Sequence, residues 1–224
     1  MFMNIAVDRV FQSSDWIVLV FFLIFGLLAV LKLLYPKRLN AFLGCFFSKN
    51  YFLDYATELQ EKYSLFHFFL LFVQNLIGAL FLYVFVIKLD SNAVAFEFGG
   101  YLKILAGLTL YLFCQMVLGR LVAFLFRIDD LYEGFFLLKF SYLKVITIYS
   151  LPVLLLWIYS FPGSSFMSFV AVGFVSILLI ARWFLIVINK ITLFKMNSFY
   201  FILYICTLEI VPLVLVIKLM IQIN

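Results

Sequence analysis

Six long apolar runs dominate the sequence, at 16–34, 65–87, 101–126, 145–160, 166–189 and 199–221. A helix needs about 20 apolar residues to cross a hydrocarbon layer of about 30 Å, because each residue rises about 1.5 Å. The runs are continuous rather than alternating, so they read as helices and not as barrel strands, and a helix satisfies its own backbone inside lipid. The run at 145–160 is the shortest and holds Pro152, which leaves its start open as far back as Phe135. The run at 101–126 can also stop near Leu118. The expected fold is all-α: a polytopic membrane bundle of six transmembrane helices, forming one integral domain over 1–224.

Composition closes the alternatives. The chain is 67% apolar and 12% charged, whereas a soluble domain carries about a quarter charged residues. A soluble enzyme could not hide that much apolar surface, and a disordered chain needs the opposite balance. The net charge of +5 does not point to nucleic acid, because the basic residues stand beside the apolar runs. With alternating spans, 12 of the 16 Lys and Arg fall on one side, leaving Arg9, Lys88, Lys103 and Lys218 on the other. The richer side is expected to be cytoplasmic. Both termini then lie outside. The first run follows Asp8 and Asp15 and precedes Tyr35-Pro36-Lys37-Arg38. That pattern reads as a retained membrane helix, not a cleaved signal.

The inner connections are patterned. Leu39, Phe42, Leu43, Phe46 and Phe47 share one helical face, edged by Lys37, Arg38 and Lys49. A basic-edged apolar stripe fits an in-plane helix on the inner leaflet. Phe52, Tyr55, Leu59 and Tyr63 continue it, opposite Asp54, Glu58 and Glu61. The stretch 119–134 reads as a second in-plane helix or as an extension of the third span.

Ionisable groups inside a span are expensive to bury, so they are the first functional candidates. Glu209 lies roughly 15 Å into the last run, near the midplane, and Pro212 follows as a candidate hinge. Arg182, and Arg120 if the third span is long, lie near enough to be partners. Gln115, Gln74 and Asn75 fall at mid-depth by the same count, which suggests one intramembrane polar layer. It reads either as a protonation or substrate site, as in carriers, or as a packing device.

Catalytic signals are thin. His67 is the only histidine and begins the second run. Asp54, Glu58 and Glu61 share a face but lack the Glu-x-x-His companion of carboxylate metal sites. Asp129 and Asp130 read as a solvated acidic spot. Cys45, Cys114 and Cys206 form no CxxC pair and read as small packing residues. No GxSxG, HExxH, Walker or GxGxxG motif occurs. No metal and no cofactor is expected.

In the last run, residues 197–213 join an aromatic Phe199-Tyr200-Phe201-Ile202-Leu203-Tyr204 block to Cys206-x-x-Glu209-Ile210-x-Pro212. This segment resembles the C-terminal signature of a Bacteroidetes family of multi-pass inner-membrane proteins known only as a domain of unknown function. The resemblance implies an inner-membrane location in a Gram-negative envelope. It brings no catalytic residues and no substrate, and it makes Glu209 and Pro212 the first positions to test.

The leading expectation is a non-catalytic accessory or scaffold subunit of an envelope complex serving protein export, envelope assembly or a membrane motor. Its partners would be the lipid bilayer and other membrane proteins, with no nucleic acid and no soluble small-molecule substrate. The alternative is a small carrier or proton-coupled transporter using Glu209. A lipid-modifying enzyme with a metal among Asp54, Glu58, Glu61, Asp129 and Asp130 ranks last.

Overall fold

The computed structural model describes residues 15–44, 65–89, 98–126, 129–160 and 164–191. Among these residues every regular element is a helix. They are α1 (Asp15–Leu34), α2 (Pro36–Gly44), α3 (Leu65–Leu89), α4 (Phe98–Phe126), α5 (Asp129–Leu155) and α6 (Ser165–Ile191). All but α2 contain a stretch long and apolar enough to cross a membrane. The expected sixth span at 199–221 lies outside the described residues, as do Glu209, Pro212 and the acids Asp54, Glu58 and Glu61.

Local chemistry sets the breaks. Pro36 has no N–H to continue α1, so the chain bends there and restarts with proline in the first helical position. Tyr35 N–H still reaches Leu31 O at 2.9 Å and Leu39 N–H reaches Tyr35 O at 3.0 Å, so the bend is tight. Pro152 lies inside α5, and the helix widens into a π-helical turn at Leu156–Ser160. Ser164 caps α6: its hydroxyl accepts from Met167 N–H at 3.3 Å and its carbonyl from Ser168 N–H at 3.2 Å.

Helix α3 is the hub and packs on α1, α4 and α5, while α6 packs on α5. Burial follows this order: 56% of the α3 span is buried inside the bundle, against 17% for α4 and 11% for α6. The larger core joins Ile17, Phe21 and Ile24 of α1 to Val73, Ile77 and Leu80 of α3 and to Leu154 and Trp157. Helices α3 and α4 approach closely because Gly78 and Gly100 carry no side chain. A Cβ on Gly78 would stand 3.3 Å from Leu108 Cδ2, and one on Gly100 3.0 Å from the Tyr83 ring.

A second core lies at the other end, where Leu31, Leu39, Phe42, Phe66, Leu70 and Val145 meet. Leu39 and Phe42 of the α2 stripe are therefore packed into the bundle. Tyr149 of α5 fastens α2 by donating to Leu43 O at 3.0 Å. Phe46 and Phe47 lie outside the described residues. The 119–126 part of the second patterned stretch continues α4 without a break, and α5 then begins at Asp129.

Candidate functional site

The polar residues inside the spans occupy successive levels. Contacts of Gly78 with Leu108 and Gly100 with Tyr83 set α3 antiparallel to α4. The Phe81–Trp157 ring contact at 5.6 Å sets α3 against α5. Following these registers places Gln74 and Asn75 level with Ser150, and Gln115 about one turn nearer the Leu65 end. Trp157 Nε1 donates to Ser168 Oγ at 3.1 Å. From that bond, equal lengths along both helices bring Arg182 level with Lys144 to within about a turn.

Gln74, Asn75, Gln115 and Arg182 are all buried. Gln74 Oε1 and Asn75 Oδ1 accept no hydrogen bond from any described residue. A buried amide oxygen left without a donor costs about 1–3 kcal/mol, and lipid offers no water to replace it. Ser150 instead satisfies itself locally, donating to Thr147 O at 2.8 Å. Arg120 is exposed on α4. It lies five residues beyond buried Gln115, a turn of roughly 140° around the helix, and so faces outward. Glu209 and Pro212 lie outside the described residues.

Three groups of functional interest escape the sequence reading. Lys139 and Lys144 are each only 6% exposed on α5, although in the sequence they serve only to mark the basic side. Nothing in their spacing separates them from lysines in solvent. At the opposite end Trp16, Tyr83, Phe98 and Tyr101 gather. Trp16 lies 5.5 Å from Tyr83, 5.6 Å from Phe98 and 5.3 Å from Tyr101 between ring centres. Tyr101 also donates to Leu76 O at 3.3 Å. The signal was available here, since Trp and Tyr at span ends sit at membrane interfaces.

Among the described residues no group of three His, Cys, Asp or Glu could hold a metal. Cys114 is exposed on α4, so among the described residues its thiol packs on no core.

A family model described as a domain of unknown function, DUF4271, matches residues 17–220. Neither a curated protein nor a solved structure matches the chain.

Proposed function

The chain belongs to the DUF4271 family, and we propose that it is a non-catalytic accessory or scaffold subunit of a cell-envelope complex. In this reading it resides in a Gram-negative inner membrane with its basic end cytoplasmic and both termini periplasmic. Export, envelope assembly and a membrane motor are the processes such a subunit would serve.

The observation that carries the reading is the outward face of α4. Gly99, Lys103, Gly107, Leu110 and Cys114 follow one another along an exposed strip, with Ala106 beside it. A Cβ on Gly99 or Gly107 would meet nothing within 4 Å. Small residues gain nothing against lipid tails, but they let a second helix backbone come close. A span that the described residues bury so little of, with open small-residue positions at Gly99 and Gly107, is suited to a neighbouring membrane helix.

A photo-crosslinker at Phe113, beside the strip, tests this in native membranes. It should capture one or a few defined membrane proteins that a crosslinker at Phe22 of α1, 79% exposed, does not. A protein that purifies alone and monomeric, with no protein captured at Phe113, contradicts the reading.

The unsatisfied oxygens of Gln74 and Asn75 favour a second reading, a small carrier. A protonated Glu209 or a donor-bearing substrate would complete them, with Pro212 as hinge. Replacing Glu209 with Gln should then abolish uptake at normal expression. An unchanged phenotype counts heavily against the carrier.

A further inference from the structure

At the Leu65 end of the bundle, three helices bring three basic side chains together. Arg38 comes from α2, His67 from the start of α3 and Lys144 from α5. Their chain neighbours Leu39, Phe66 and Val145 meet in one core, which brings the three basic residues to the same end. The arrangement is built rather than incidental. Tyr149 ties α2 to α5, and Phe66 contacts the rings of Tyr35 at 5.6 Å, Phe42 at 6.1 Å and His67 at 5.6 Å. Arg38 stands over the Tyr35 ring, 6.0 Å from its centre.

Lys144 is the telling member. It is 6% exposed; α2, α3 and α6 carry no acidic residue, and the acids of α5 lie at least 11 residues before it. An ammonium taken out of water without a counter-charge costs several kcal/mol. An anion from outside the chain would remove that penalty. Depth selects its chemistry: His67 is two residues from where the α3 span begins, and lipid phosphates lie just beyond the hydrocarbon edge. The neighbouring surface selects its source. Leu33, Leu34, Leu65 and Phe68 are 82%, 59%, 64% and 67% exposed, a wall that acyl chains would cover and a free phosphate ion would not use.

We propose that Arg38, His67 and Lys144 form a binding site for the phosphate headgroup of an anionic membrane lipid. The site goes beyond the subunit reading and stands independently of any protein partner. Basic pockets between transmembrane helices recognise such headgroups by charge-assisted hydrogen bonds.

The test is native mass spectrometry of the full chain, purified in detergent and titrated with phosphatidylglycerol or with phosphatidylcholine of the same acyl chains. The wild type should retain phosphatidylglycerol preferentially. Lys144→Met should weaken it about tenfold, the loss of one charge-assisted contact, while Lys144→Arg keeps it. Asp15→Asn, exposed at the far end of the bundle, should leave it unchanged. If Lys144→Met fails to fold, Arg38→Gln gives the same reading, with a loss of about fivefold expected. Equal retention of the two lipids by the wild type overturns the proposal, as does undiminished binding in folded Lys144→Met or Arg38→Gln. Displacement of the lipid by millimolar inorganic phosphate overturns its assignment to a lipid.

Discussion

The indole N–H of Trp157 donates to the hydroxyl of Ser168 across 3.1 Å, and this bond pins the register of α5 against α6. Trp157 is 1% exposed and sits in the π-helical turn that follows Pro152. Ser168 also donates to Ser164 O at 3.2 Å, so one hydroxyl joins the cap of α6 to the core. The ladder of levels that places Arg182 beside Lys144 starts from this pair.

Ser168→Ala should leave the buried indole without its acceptor. The expected loss is about 1–3 kcal/mol, measured as thermal unfolding of the detergent-purified protein. A double-mutant cycle with Trp157→Phe should give a coupling of about 0.5–1.5 kcal/mol. A coupling of zero would mean that the bond does not hold the two helices.

Gly78 and Gly107 differ only in what faces them, open space at Gly107 and Leu108 at Gly78. Gly78→Leu should therefore push α3 from α4 and cost about 1–3 kcal/mol. Gly107→Ala should leave the purified chain's unfolding unchanged or slightly improved. If Gly78→Leu is silent, the close crossing is absent.

The buried amides can be tested by removing them. Gln74→Met and Asn75→Leu delete acceptors that no described residue satisfies. Thermal unfolding of the isolated protein should hold steady or rise by about 1–2 kcal/mol equivalent. Cells carrying the variants separate the two functional readings. A lost phenotype with a stable protein favours the carrier, and a retained one favours the subunit.

The membrane helices were legible because an apolar run of about 20 residues has few other fates. The α2 stripe was legible too, since Leu39 and Phe42 recur at helical spacing. What covers that stripe was not, because periodicity reports an apolar face and not its neighbour. In the structure the cover is Leu31, Phe66 and Val145. Arg120 and Arg182 look alike in sequence, each near the inner end of an apolar run. Helix phase separates them: Arg182 is buried and Arg120 faces outward. Lys144 was hidden for the same reason, since its burial is fixed by how α2, α3 and α5 meet. Its level with His67 exists only after those helices pack.

Both the docking strip and the lipid site are proposed for helices that thread a membrane, with the Arg38–His67–Lys144 end expected in the cytoplasm. In a variant with Cys45, Cys114 and Cys206 replaced, single cysteines at Asp15 and at Lys37 report it through a membrane-impermeant maleimide on spheroplasts. Cysteine at 15 should label in intact spheroplasts, and cysteine at 37 only after lysis. Labelling of 37 in intact spheroplasts, or of 15 only after lysis, would contradict the account.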